Sequence, residues 1–313
     1  MTAADFAAFS NNAIAFASVV YVLAFLSHIV EWAMGRSVPA SADGAPVAVA
    51  AVSDSSHADA TYAGPDHGTA VGPDTGPLTA TATGPETERK ALGVERFGRI
   101  GVALTVLAFG LHLAGLVTRG LAADPARVPW GNMYEFAVAG ALGVTGIYLA
   151  LLRKYQLRWL GLLVTGFAVV VLMLAVLLLY VPAGPLVPAL HSYWLVIHVI
   201  AAVIGAGAFT VGAMASLLFL VKRRAETKPD APTTGYVARL PAASALDRVA
   251  YRVHAFGFPV WTFAALVAGP IWAEYAWGRY WGWDPKEVWA FITWVVYAAY
   301  LHARATAGWK GKG

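Results

Sequence analysis

The sequence predicts an all-α polytopic membrane protein with seven transmembrane helices, the N-terminus outside and the C-terminus cytoplasmic. Apolar residues make up 58% of the 313 residues and charged residues only 13%, about half the charged share of a soluble globular protein. Seven stretches free of Asp, Glu, Lys and Arg are long enough to cross about 30 Å of hydrocarbon. This composition excludes a cytosolic enzyme.

Each predicted span is a helix, because a chain in lipid must satisfy its backbone hydrogen bonds internally and these apolar stretches are too long for barrel strands. The first stretch lacks a basic n-region and a small-residue cleavage site, so we interpret it as a retained span. The spans lie near residues 12–34, 99–118, 132–152, 159–180, 192–221, 253–273 and 286–304.

The orientation follows from the distribution of Lys and Arg, which accumulate in cytoplasmic loops. With the N-terminus outside, eighteen of the 22 Lys and Arg residues fall on the inner side, and four fall outside: Arg119, Arg127, Arg279 and Lys286. The net charge of +4 is therefore a matter of topology and gives no indication of a nucleic-acid partner.

One long segment differs in composition from the spans. Residues 37–88 are rich in Ala, Gly, Pro, Thr and Asp and contain one aromatic residue, too little apolar surface to offset the entropy of ordering. We divide the chain into a first transmembrane helix (1–36), a disordered cytoplasmic linker (37–95) and a membrane domain (96–313). The chain has no Cys, which excludes disulfides and thiolate metal sites.

The membrane domain contains an unusual concentration of tryptophan. Six of the twelve Trp residues lie between positions 272 and 294, interleaved with Gly278 and Gly282. One interpretation is an aromatic belt, because Trp favours membrane interfaces. The other is a binding surface for a large flat apolar ligand, because indole faces offer stacking area and glycine allows close approach of the backbone. We call residues 272–289 the Trp-rich loop.

The end of this loop carries a helix-start signal. Asp284, Pro285 and Glu287 occupy the N-cap, N1 and N3 positions of a capping box before the seventh span. Capping accounts for both carboxylates, so we assign neither a proton-transfer role.

Six histidines lie within or at the ends of spans, and each is either a neutral imidazole bonded between helices or a ligand, such as a haem ligand. His28, His112 and His198 lie inside spans; His191, His254 and His302 lie at span ends. The eighteen residues from Asp284 to His302 span roughly 27 Å of helix. His198 lies near the outer face and His302 near the inner face, so the two cannot bind one iron. If both are ligands, there are two cofactor positions.

The residues from Trp277 to Trp289 resemble the tryptophan-rich "WWD" signature of membrane haem-handling proteins, and among these the CcsA (ResC) type of cytochrome c biogenesis. The resemblance covers about residues 95–313. It includes the segments 130–136 and 188–199, the pairs Tyr251-Arg252 and Gly257-Phe-Pro259, and the segment 300–304.

The resemblance implies a subunit of a cytochrome c synthase of system II in a bacterial plasma membrane. Such a protein pairs with a CcsB (ResB) type membrane partner, takes haem b from the cytoplasmic side and presents it outside. There, as in a haem lyase, the vinyl groups form thioethers with the CxxCH motif of apocytochrome c. A thioredoxin-like thiol reductase is a further implied partner.

The resemblance also implies roles for individual residues. His198 is an axial ligand of the outer haem iron, and His302 is a ligand of the transmembrane haem iron, whose second ligand comes from the partner. The Trp-rich loop cradles the outer haem through Trp272, Trp277, Trp281, Trp283 and Trp289. Family members continue into a further span with a last outer histidine, which no residue here matches. We therefore expect a truncated sequence or an incomplete outer site, with His191 a poor substitute.

Two other classes remain open on the sequence. A small-solute transporter would carry buried charges at mid-membrane and repeated halves. A membrane haem redox protein would need two histidines at similar depth, and His28 and His254 meet that condition.

Overall fold

The computed structural model describes residues 1–37, 85–229 and 234–306. Within these ranges the chain is helical and contains no β-strand. A π-helical segment, Phe263–Ala268, joins α7 to α8. The α-helices are α1 (Ala3–Met34), α2 (Pro85–Leu121), α3 (Met133–Tyr155), α4 (Gly161–Leu178), α5 (Tyr193–Glu226), α6 (Gly235–Arg239), α7 (Ala243–Thr262), α8 (Gly269–Trp277) and α9 (Pro285–Ala305).

The all-α membrane class is confirmed. Six helical stretches are long and apolar enough to cross a membrane, and they coincide with the first six predicted spans. Helix α9 coincides with the seventh but is less apolar than the other six, because it contains four Trp and Tyr residues and carries His302 and charged residues at its ends. The seventh span and the orientation stay predictions.

The predicted linker overlaps the start of a helix. Helix α2 begins at Pro85. The acidic side chains of Glu86 and Glu88 in its first turn interact favourably with the positive end of the helix dipole. The linker boundary at residue 95 is therefore corrected, because residues 85–95 are helical. Residues 38–84, which include His57 and His67, lie outside the described residues.

The first four long helices form one packed group. Helix α1 packs along α2, α4 packs against α1, and α3 packs against α4. Their shared core contains Ile14, Tyr21, Ala108, Val138 and Leu172. Another face of α3 remains available for packing and contacts α5.

Helix α5 joins this group to the C-terminal helices. It contacts α3 on one side and α7 with the π-helical segment on the other, around a second core that includes Tyr148, Leu160, Ala208 and Leu246. Helix α9 is the outermost element, and none of its 21 residues is buried. Tyr297 fixes it by stacking on Phe209 with 3.6 Å between ring centroids.

A buried ion-pair cluster ties α2 to α3 at the predicted outer end. The Glu135 carboxylate, fully buried, accepts hydrogen bonds from Arg119 Nε at 3.1 Å and from Arg127 Nη1 at 2.8 Å. It also accepts the backbone N–H of Gly131 at 2.8 Å. Arg119, itself buried, donates to the carbonyl of Val181. The cluster thus joins α2 and α3 to the loop between them and, through Arg119, to the loop after α4.

This cluster predicts a large effect of Glu135→Gln on stability. We expect the substitution to lower the free energy of unfolding by about 3–5 kcal/mol, because Arg119 and Arg127 lose their buried counter-ion. The measurement is the midpoint of unfolding of the purified protein in detergent.

The matched control is Glu86→Gln. It removes a carboxylate from an exposed pair with Lys90, so we expect no measurable change. A Glu135→Gln midpoint equal to that of the control would contradict a stabilising role for the cluster.

Candidate functional site

His198 lies in the second turn of α5, where its ring contacts the π-helical segment. Its Nδ1 is 3.0 Å from the carbonyl oxygen of Ala264. A carbonyl oxygen only accepts, so Nδ1 carries the proton of the neutral ring and Nε2 keeps a free lone pair. Among the described residues Nε2 has no hydrogen-bond partner. The ring is therefore held in the form that binds a metal ion.

The π-helical segment supplies this anchor because of its backbone pattern. Ala264 O accepts the N–H of Gly269, five residues on, and the Nδ1–H of His198. Gly269 allows the close approach, because a Cβ there would lie 3.2 Å from the imidazole. Single π turns inside helices are frequent at functional sites. This segment was not predicted from the sequence; the Gly269-Pro270 pair inside an apolar span is the signal that could have indicated it.

Two tryptophans of the Trp-rich loop lie beside the imidazole. The Trp272 ring is nearly parallel to the His198 ring, at 11° and 6.1 Å between centroids. The Trp277 ring stands at 75° to Trp272, 6.3 Å away, and is 57% exposed. We call His198, Trp272 and Trp277 the His198 site. It combines a free imidazole nitrogen with exposed aromatic faces, which suits a flat apolar ligand that carries a metal ion.

Two further tryptophans form a separate pair in the same loop. The Trp281 and Trp283 rings meet edge to face at 5.8 Å, and Trp283 continues to Phe291 of α9. Trp283 has a φ of 59°, a left-handed conformation that costs a bulky residue about 1–3 kcal/mol and persists only where its surroundings impose it.

The predicted capping box is confirmed and accounts for part of that constraint. Asp284 accepts the N–H groups of Lys286 and Glu287 at 2.9 and 3.0 Å. The Glu287 carboxylate accepts the N–H of Gly282 at 2.7 Å as well as that of Asp284. The box therefore fixes the last turn of the Trp-rich loop in addition to the start of α9.

Trp289 lies apart from both groups. It is the last residue of the Trp-rich loop and lies in the first turns of α9. Its side chain is 67% exposed, and it makes no ring contact with other described residues. Its position fits the aromatic-belt interpretation better than the binding surface.

His302 lies at the other end of the C-terminal helices. It is in the last turn of α9, exposed, and its ring has no hydrogen bond among the described residues. Next to it, Arg304 forms a two-point ion pair at 2.9 Å with Asp247, near the start of α7. His198 instead contacts Ala264 and Trp272, toward the other end of the stretch formed by α7, the π-helical segment and α8. The structure thus places His198 and His302 at opposite ends of one helical unit.

The remaining histidines have distinct surroundings. His112 is bonded between helices, to the carbonyl of Val138 at 3.0 Å. His28 contacts Glu31 of its own helix at 3.0 Å, whereas His254 contacts Ser216 of α5 at 3.3 Å. No described contact joins His28 to His254, and this argues against the haem redox pair that the sequence left open.

At the predicted outer end, His191 lines a cavity of about 300 Å³ together with Arg127 and Trp130. Its Nε2 lies 3.3 Å from the carbonyl of Leu186. The Glu135 cluster beside this cavity was also missed by the sequence analysis, which counted Arg119 and Arg127 only as outer charges. An Arg and a Glu at facing ends of consecutive spans are the signal that could have found it.

Comparison with known proteins identifies the family. The family described as Cytochrome C assembly protein matches residues 130–313. A Cytochrome c biogenesis protein CcsA from Synechococcus sp. (strain JA-3-3Ab) is 34% identical over 267 residues, covering 69% of this chain and 75% of that protein.

Two other CcsA proteins give the same result. The one from Microcystis aeruginosa is 35% identical over 69% of this chain and 77% of its own length. The one from Guillardia theta is 34% identical over 68% of this chain and 75% of its own length. The chain therefore belongs to the cytochrome c assembly protein family, as a CcsA-type protein of cytochrome c biogenesis.

Proposed function

We propose that this chain conveys haem b across a bacterial plasma membrane and presents it on the outer face for attachment to apocytochrome c. Haem is the substrate, and the thioether bonds form between its vinyl groups and the thiols of the CxxCH motif. The chain acts as one subunit of a system II cytochrome c synthase, with a CcsB-type partner and a thioredoxin-like reductase that keeps those thiols reduced.

The His198 site is the observation that carries this proposal. An imidazole whose Nδ1 is fixed by a backbone carbonyl presents Nε2 to a metal ion with little loss of rotational freedom. Trp272 and Trp277 add aromatic faces at the same place, and such faces stack on a planar macrocycle. The protein binds and orients the haem, and the chemistry of attachment belongs to haem and thiols.

His302 is proposed as the ligand of a second, inner haem position. Its exposed ring on the outermost helix is open to a partner subunit, which would supply the other axial ligand. This assignment depends on the proposed topology of seven spans with the N-terminus outside, which puts His302 near the cytoplasmic face. Two haem positions near opposite faces of the membrane would suit the passage of haem through the protein better than its permanent retention.

The first test is the absorption spectrum of the chain purified with its CcsB-type partner. We expect haem to co-purify, and His198→Ala and His302→Ala each to remove part of it or shift its Soret band, because each removes one axial ligand. His57→Ala, in the predicted linker, is the control and should leave the spectrum unchanged. A haem-free preparation, with both variants still supporting cytochrome c maturation in cells, would contradict the axial roles.

The second test distinguishes haem binding at the His198 site from the aromatic-belt interpretation of the tryptophans. Trp272→Ala removes the ring parallel to His198, and we expect about a two- to tenfold loss of maturation, since one aromatic contact contributes about 0.5–1.5 kcal/mol. Trp272→Phe should restore part of it. Trp289→Ala should cause a smaller loss, because that ring lies outside the His198 site. Equal losses for Trp272→Ala and Trp289→Ala would favour a general aromatic belt.

A further inference from the structure

Buried polar atoms without partners concentrate at one end of the described helices. Nine side-chain nitrogen and oxygen atoms in the described ranges are buried and have no hydrogen-bond partner. Six of the nine belong to residues around the end of α1: His28, Trp32, Tyr148, Arg158, Tyr236 and Arg239. Buried polar groups are normally paired, so such a concentration needs a missing partner.

Three of these groups converge between the end of α1 and the short helix α6. The ring centroids of Trp32 and Tyr236 are 4.0 Å apart, and the guanidinium of Arg239 lies 5.3 Å from the Trp32 ring. Their unpartnered atoms are Trp32 Nε1, Tyr236 Oη and Arg239 Nη1. The indole and guanidinium N–H groups only donate, and the Tyr236 hydroxyl, whose pKa burial raises to about 12, is protonated and can donate as well. Three donors in one place require an acceptor.

The surrounding structure positions this group. Lys222 of α5 donates from Nζ to the carbonyls of Val237 and Ala238 at 2.9 and 3.2 Å, which holds α6 against the bundle. Gly35, just after α1, leaves space for the guanidinium, because a Cβ at Gly35 would lie 1.3 Å from Arg239 Nη1. The close approach of Arg239 to α1 thus depends on a residue without a side chain.

The charges here do not balance. Glu31 and Glu95 are both bonded to Arg158, and Glu95 is also paired with Arg99. Arg239 forms no ion pair with another described residue: the Glu31 carboxylate acts on it only at longer range and is already paired with Arg158 and His28. The missing acceptor is therefore expected to be an anion.

We propose that Trp32, Tyr236 and Arg239 bind the phosphate group of an acidic phospholipid headgroup. A phosphate offers several acceptor oxygens with a negative charge, and arginine is the side chain best suited to it. The site lies where a transmembrane helix ends, at the predicted inner face, and Trp and Tyr favour this depth. Inner leaflets carry acidic lipids that attract cations. His28 and Tyr148 belong to a different place, beside Gly161, where an added Cβ would lie 2.6 Å from His28 Nε2 and 2.9 Å from Tyr148 Oη.

The test uses the full chain, purified in detergent and freed of lipid, with lipid binding followed by native mass spectrometry. We expect phosphatidylglycerol to bind and phosphatidylcholine to bind more weakly. Arg239→Gln should weaken phosphatidylglycerol binding about tenfold or more, because it removes a charge-assisted hydrogen bond. Arg248→Gln, which removes an exposed arginine of α7, is the control with the same change in charge and should bind like wild type.

A second variant separates geometry from charge. Gly35→Ala keeps every charge but places a methyl group where Arg239 Nη1 lies, so we expect it to weaken phosphatidylglycerol binding as well. It remains informative if Arg239→Gln fails to fold.

Three outcomes would overturn the proposal. The first is equal binding of both lipids by wild type. The second is phosphatidylglycerol binding that Arg239→Gln and Gly35→Ala leave unchanged. The third is a site for free phosphate: if inorganic phosphate alone stabilises the protein in an Arg239-dependent manner and phosphatidylglycerol adds nothing, the lipid assignment is wrong.

Discussion

The requirement that every backbone polar group be satisfied inside the chain shapes this structure, because lipid offers no hydrogen bonds. It makes each apolar stretch of the described chain a helix and leaves little freedom for a binding site within a span. The Phe263–Ala268 segment uses the freedom that remains. Its widened turn keeps the backbone bonded and lets one carbonyl accept a second donor, the ring of His198. The ligand form of that imidazole is thus a consequence of a local change in helix type.

In the Trp-rich loop, too, backbone N–H groups are satisfied within the chain, here at the start of α9. Glu287 closes the start of α9 and also holds the N–H of Gly282, so the loop cannot move without breaking the cap. Trp283, in a left-handed conformation, lies directly before that cap. Large apolar rings left free at a membrane surface would collapse on each other or into lipid. A loop fixed by backbone hydrogen bonds keeps their faces available to a ligand.

Sequence patterns predicted those features that depend on local chemistry. The spans follow from the length of apolar stretches, and the start of α9 follows from Asp284, Pro285 and Glu287, whose capping geometry is local. The Glu135 cluster is different, because facing Arg and Glu residues at span ends indicate an ion pair, but its geometry depends on how α2, α3 and the loop between them pack. The division of the tryptophans has the same origin: Trp272 and Trp289 look equivalent in sequence, and only the fold puts one beside His198 and the other at the surface.

Under the proposed function, the separation of His198 from His302 also bears on how tightly each position can bind haem. Haem that crosses a membrane has to be bound at each stage and released from each stage, so no position can enclose it as a core encloses a permanent cofactor. The His198 site is partly open, with Trp277 more than half exposed, and His302 lies on a helix that buries none of its own residues. Under the proposed function, each position would offer one imidazole and leave the rest of the coordination to another molecule. Such a chain would depend on partners for tight binding, and that dependence would allow the haem to be passed on.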